Sequence, residues 1–131
     1  MLLLHLGLPE PQLVQWPWCW LGLMPVFAGV ALAIAGERAF QRAGTAVLPF
    51  SEPSTVVTGG PFAFTRNPMY MGLVLCLIGW AVLLGSPVPF AVVPAFFALI
   101  HFRFVQREEP FMAERLGEEY ANYRERVRCW L

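Results

Sequence analysis

Two long stretches without a formal charge constrain this chain more than any other feature. From Pro11 to Gly36 there is no acidic or basic residue, and from Asn67 to Phe102 none carries a formal charge apart from any protonation of His101. Roughly 20 helical residues cross about 30 Å of hydrocarbon, so Trp16 to Ala35 has the length of one membrane crossing. Trp16, Trp18 and Trp20 crowd its start as an interfacial aromatic belt would, and Glu37, Arg38 and Arg42 close it. Pro25 is a position where it can bend. The second stretch would measure about 54 Å as one helix at 1.5 Å per residue, too long for one crossing. Gly85-Ser86-Pro87-Val88-Pro89 interrupts it. Two shorter helices, about Met69 to Leu84 and Phe90 to Phe104, are therefore expected to form a tight hairpin.

The remaining segments are read around these spans. With 131 residues there is room for one compact unit. The apolar share is 57% and the charged share 14%. Soluble domains average about 25% charged residues, so an all-α integral membrane protein with about three transmembrane helices is expected. Residues 1–15 form a lead-in with no basic n-region and no clear cleavage site, which argues against a signal peptide. Residues 16–36 are the first span, 44–66 a connection, 67–104 the hairpin and 105–131 a charged tail. Pro49, Pro53, Gly59 and Gly60 argue against a long helix in the connection, and Ser54 to Thr58 is β-branched with no evident partner strand. In the tail, Met112, Leu116, Tyr120, Tyr123, Val127 and Trp130 recur at helical spacing, predicting an amphipathic helix on the membrane or on the hairpin.

Charge places the faces. All nine basic residues are Arg. Arg38, Arg42 and Arg66 flank the connection, and Arg103, Arg107 and Arg115 follow the hairpin, while the hairpin turn has none. Three crossings put connection and tail on one side, which the positive-inside rule makes cytoplasmic. The zero net charge gives no reason to expect a nucleic-acid partner. Cys19, Cys76 and Cys129 are far apart, so neither a disulfide nor a metal site is expected, and Cys129-Trp130-Leu131 is one residue short of a prenylation box. Dinucleotide-binding, P-loop, zinc-hydrolase and serine-nucleophile motifs are missing.

The polar groups gather at one boundary. Asn67, Tyr70, His101, Arg103, Arg107, Glu108 and Glu109 all fall at the Arg-bearing ends of the hairpin. Taken singly, the Arg residues are membrane anchors and the Glu pair is a helix-start feature.

Gly60-Pro61-Phe62-Ala63-Phe64-Thr65-Arg66-Asn67-Pro68-Met69-Tyr70-Met71-Gly72 is followed, after the hairpin, by Arg107-Glu108-Glu109. Leu116-Gly117-Glu118-Glu119-Tyr120 and Tyr123-Arg124-Glu125-Arg126-Val127 come next. In order and spacing these blocks resemble the isoprenylcysteine carboxyl methyltransferase family, which groups with the phospholipid methyltransferases. The resemblance covers about two thirds of the chain, from Gly44-Thr45 onward. It implies S-adenosyl-L-methionine as methyl donor, bound by Ser54, Thr55, Val56, Val57, Phe62, Asn67, Pro68, Met69 and Tyr70, with Glu108 from the tail. It implies a lipophilic, lipid or lipidated acceptor, oriented by Arg103 or Arg107, with Glu109 available as a base for an amine. Many members carry His where this chain has Asn67, which keeps a hydrogen-bonding group but no titrating one. A membrane reductase of related helical architecture and a non-catalytic membrane subunit are the competing readings.

Overall fold

The computed structural model describes residues 6–7, 11–45 and 52–131. Most of the expected lead-in, and the part of the connection that holds Pro49, lie outside the described residues. Among those described, the regular elements are all helical. They are α1 (Leu23–Ala43), α2 (Pro68–Leu84), α3 (Pro87–Ile100), α4 (Gln106–Leu116) and α5 (Glu118–Arg126). A 3₁₀ turn, Trp18–Gly22, leads directly into α1, and a π-helical segment, His101–Val105, joins α3 to α4.

Two rods are long and apolar enough to cross a membrane, Trp18–Ala43 with 26 residues and Pro87–Leu116 with 30. In each, only 17% of the apolar window is buried within the protein. On α1, Met24, Phe27, Val30 and Ile34 are exposed along one outward stripe. Water would penalise that surface, and hydrocarbon does not. The chain is thus built as an integral membrane protein. The second rod corrects the expected boundary near Phe104, because the helix continues through the π segment to Leu116. The expected single tail helix is also divided. Gly117 adopts φ 60°, breaking the path between α4 and α5. β-Carbon sterics disfavour that region for most residues, so the break falls on a glycine.

Helices α1 and α2 meet backbone to backbone. Gly29 faces the carbonyl of Gly72, and the 3₁₀ turn's Gly22 faces the carbonyl of Gly79; a β-carbon at any of these four would collide. With lipid outside, helices gain little from hiding apolar surface from one another. Close packing through small residues then becomes a main source of association. The Cys76 thiol sits in this seam and donates to the Val26 carbonyl at 3.6 Å. Cys76 therefore behaves as a small packed side chain, as its apolar surroundings predict. At the hairpin turn, the Gly85 carbonyl accepts the N–H groups of Leu13 and Val14, anchoring the segment before α1.

A second, smaller core lies at the Arg-bearing end. Val56 and Val57 from the connection and Phe62 pack with Tyr120, Tyr123 and Val127 of the tail. Phe40, near the end of α1, meets Phe62 edge to face at 5.0 Å. The Tyr123 hydroxyl donates to the Phe62 carbonyl at 2.7 Å. The tail's apolar face therefore lies on the connection and on α1, which corrects the expectation that it would rest on the membrane or on the hairpin. Ser54 to Thr58 forms no strand and contributes its two valines to this core.

The last residues return to the hairpin. The Arg66 N–H donates to the Arg128 carbonyl at 3.0 Å, and the Trp130 indole N–H donates to His101 Nδ1 at 3.3 Å. Trp130 also stacks obliquely on Phe97 at 4.7 Å.

Two substitutions test this packing. Gly72→Leu forces α1 and α2 apart and is expected to cost about 1–3 kcal/mol or more, as overpacking does. Tyr123→Phe keeps the ring but strips the Phe62 carbonyl of its donor, an expected loss of about 1–2 kcal/mol. Both are read as lowered midpoints of thermal unfolding in detergent.

Candidate functional site

The site residues gather between the start of α2, the connection and the α4–α5 tail. Pro68 opens α2 at a position where its missing N–H costs no helical bond, and the turn that follows carries Met69 and Tyr70. These three and Asn67 form one wall of a cavity of about 110 Å³. Val56, Val57 and Phe62 form a second wall, and Glu108 and Glu109 of α4 close it from the tail. All nine were expected at the site from the sequence.

Four expected residues lie elsewhere. Ser54 is absent from the cavity lining. Its N–H donates to Thr45 Oγ1 at 3.1 Å and its hydroxyl to the Gly44 carbonyl at 3.4 Å, so it ties the connection to the end of α1. Thr55 borders a different cleft, described below. Arg103 faces outward beside Ala98, Leu99 and Phe102, and Arg107 is exposed. Helical phase gives the reason. At about 100° per residue, Arg107 stands roughly 200° from Glu109, so a rod that turns its Glu pair inward turns this Arg away.

The cavity also contains residues not expected as ligands. Arg66 is the most consequential, and Tyr120, Tyr123, Phe111 and Met112 complete the tail side. Periodicity placed Met112, Tyr120 and Tyr123 on an apolar face but did not show which surface that face would meet. Arg66 carried a signal, since it stands alone between two apolar segments, but flanking arginines are common as anchors.

The electrostatics divide the two glutamates. Tyr70 donates its hydroxyl to Glu108 Oε1 at 2.8 Å. Among the described residues no basic group lies within 4.0 Å of Glu108, leaving a half-buried carboxylate with one neutral donor. Glu109 is engaged differently. It pairs with Arg66 at 2.5 Å and with Arg124 at 3.8 Å. The Arg66 contact lacks hydrogen-bond alignment. Arg66 Nε and NH1 and Glu109 Oε1 are buried without a hydrogen-bond partner. Buried polar atoms left unfilled in this way are costly unless something else occupies them.

Asn67 is turned toward the C-terminus. Its amide donates to the Cys129 carbonyl at 2.9 Å and approaches the Cys129 sulfur at 3.4 Å. Thr65 Oγ1 donates to the same carbonyl at 3.2 Å. At the position where the resembling family often has His, this chain thus uses an amide to hold its own end in place. Burial, followed by the nearby Glu109 charge, pushes the Cys129 thiol up, so it stays protonated and is a poor nucleophile at neutral pH. Burial, then the neighbouring Tyr120, pushes the Tyr123 phenol up to about 12. That suits a neutral hydroxyl donating to a backbone carbonyl.

The chemistry of this set suits a zwitterionic cation. A carboxylate without an ion-pair partner among the described residues, aromatic faces and a guanidinium group with one unpartnered Nε are arranged around one space. That space, about 110 Å³, is smaller than the roughly 300–1,000 Å³ of most ligand pockets. A nucleoside-sized ligand needs more room than this arrangement leaves.

Comparisons with known proteins point the same way. The phospholipid methyltransferase family model matches residues 18–119. The protein-S-isoprenylcysteine O-methyltransferase of Mus musculus is 36% identical over 81 residues, 59% of this chain and 27% of its own. A probable protein-S-isoprenylcysteine O-methyltransferase of Oryza sativa subsp. indica is 26% identical over 128 residues, 92% of this chain and 65% of its own. A protein of Haemophilus influenzae is 35% identical over 63 residues, 48% of this chain and all of its own. This chain spans about a quarter of the length of the mouse enzyme. No solved structure matches it. The match over residues 18–119, together with the membrane rods and the site they frame, makes this chain a member of the phospholipid methyltransferase family.

Proposed function

We propose that this chain is an S-adenosyl-L-methionine-dependent methyltransferase that acts on a lipophilic carboxylate or amine at the cytoplasmic membrane face. The observation that carries the reading is Glu108, a half-buried carboxylate held by Tyr70 with no cation within 4.0 Å among the described residues, in a cavity that also contains Arg66, whose Nε is buried without a hydrogen-bond partner. Family membership and the relatives' names support it.

The topology follows the same reading. Helix α2, with 17 residues, spans about 26 Å and makes the third crossing with slight local thinning. Three crossings put connection and tail on the Arg-rich side, which is the cytoplasmic one.

When bound, S-adenosyl-L-methionine supplies an electrophilic methyl group on a sulfonium. Glu108 would neutralise the ligand's positive charge, and the Tyr70 hydroxyl fixes the direction in which the carboxylate points. The ring faces of Tyr70 and Phe62 would attract the same charge. Arg66, whose Nε is without a hydrogen-bond partner, would receive the ligand's carboxylate. The buried side chains of Val56, Val57 and Phe62 would exclude water from the bound donor, and placing an acceptor close to the methyl group would supply much of the acceleration. A carboxylate acceptor has no proton to lose. For an amine acceptor, Glu109 is poorly placed as base, since Arg66 and Arg124 already engage it. The acceptor class includes a prenylated cysteine carboxylate, a phospholipid amine and a small lipophilic acid.

One observation favours a second reading, a non-catalytic membrane subunit: the cavity encloses only about 110 Å³. Binding separates the two. The purified full chain is expected to bind methyl-labelled S-adenosyl-L-methionine and to transfer label into a membrane lipid and prenyl-peptide extract. Glu108→Gln removes a charged partner worth about 1.5–3 kcal/mol and should weaken binding at least about tenfold. A wild-type chain with no measurable binding in equilibrium dialysis contradicts the proposal and favours the subunit.

A further inference from the structure

Behind the candidate cofactor cavity, Val56 and Val57 also wall a second cleft, of about 650 Å³. One side is the end of α1, where Ala35, Arg38, Ala39 and Arg42 follow one another at helical spacing along a single face. The alanines set the surface back, and the two guanidinium groups stand beside the recess. The other side is the chain from Thr55 to Pro61. A β-carbon at Gly59 or Gly60 would meet nothing within 4 Å, so the mouth is open there.

The charges in this cleft are unbalanced. Arg38 and Arg42 are exposed, and among the described residues neither has a carboxylate within 4.0 Å. Glu37, adjacent in sequence, instead accepts a hydrogen bond from Gln41 at 3.1 Å. Residues 46–51, Ala-Val-Leu-Pro-Phe-Ser, contain no acid that could neutralise the pair. The cleft is also graded in polarity. Ala35 belongs to the uncharged end of the span, and Arg42 lies about 10 Å further along the axis. The apolar end therefore adjoins the hydrocarbon and the cationic end the headgroup layer.

We propose that this cleft binds the anionic phosphate headgroup of a membrane phospholipid, with Arg38 and Arg42 on the phosphate and the acyl chains along the Ala35 side of α1. Thr55 and Thr58 supply hydroxyl donors from the facing wall. Val56 and Val57 line both this cleft and the cavity of Tyr70 and Glu108, so the lipid site adjoins that cavity, while Arg38 and Arg42 line the cleft alone. The proposal rests on the membrane placement of α1 and not on methyl transfer.

The test uses the full chain purified in detergent and titrated with phosphatidylglycerol or phosphatidylcholine of identical acyl chains, with bound lipid counted by native mass spectrometry. A basic residue near a membrane surface contributes roughly fivefold, so the phosphatidylglycerol preference should reach about 25-fold. Arg38→Gln with Arg42→Gln should abolish it, and each single variant should lose roughly fivefold, which keeps the test open if the double variant does not fold. Arg126→Gln with Arg128→Gln removes equal charge from the tail and should leave the preference intact. A wild-type chain without preference overturns the site, as does a preference that survives loss of Arg38 and Arg42. Equal loss in the tail variant shows general charge attraction and also overturns it. Displacement of the lipid by excess inorganic phosphate identifies a soluble-anion site and overturns the lipid assignment.

Discussion

The close approach of α1 and α2 is the contact on which the rest of the molecule depends. Gly29 against Gly72 and Gly22 against Gly79 allow two helices to touch along their backbones where lipid offers no hydrophobic reason to associate. That seam fixes the ends of both helices at the polar boundary. Phe40 comes from the end of α1, and Asn67 to Tyr70 from the start of α2, so the two ends frame a common space. A seam one methyl group wider would loosen the frame before any site residue changed.

Onto this frame the tail is fastened by several different interactions. Tyr123 bonds the Phe62 carbonyl, Glu109 pairs with Arg66, Tyr70 bonds Glu108, and Asn67 with Thr65 captures the Cys129 carbonyl. Some of these partners are also the groups proposed to meet the cofactor. Under the proposed function, a ligand would compete with the tail for Tyr70 and Arg66. The small volume of the cavity and the poorly aligned pair of Arg66 and Glu109 are the observations that bear on that competition.

Much of this was legible in the sequence because lipid imposes simple rules. Uncharged runs of spanning length, a Gly-Ser-Pro-Val-Pro interruption and one-sided arginines give the rods and their turn. The block from Gly60 to Gly72 with Arg107-Glu108-Glu109 identifies the family, and Tyr70, Phe62 and Glu108 indeed converge on one cavity. What escaped was geometric. The periodicity of the tail was visible, but not that its aromatic residues would pack on Val56 and Phe62, since an apolar face does not name its partner. Arg103 and Arg107 were assigned to the acceptor by position, and the phase of a helix that continues past Phe104 turns them away. The glycine seam was hidden because single glycines seven residues apart carry no local signal. Asn67 and Arg66 depend on contacts with Cys129 and Glu109, more than 40 positions away in each case.

The central claim is that the space between the connection and the tail holds S-adenosyl-L-methionine. Photolabelling the full chain with the tritium-methyl cofactor, followed by peptide mapping, tests it most directly. The account predicts label on the segments spanning residues 56–70 and 108–123, lost when unlabelled cofactor is added in excess. Label confined to other segments, or insensitive to competition, would contradict it.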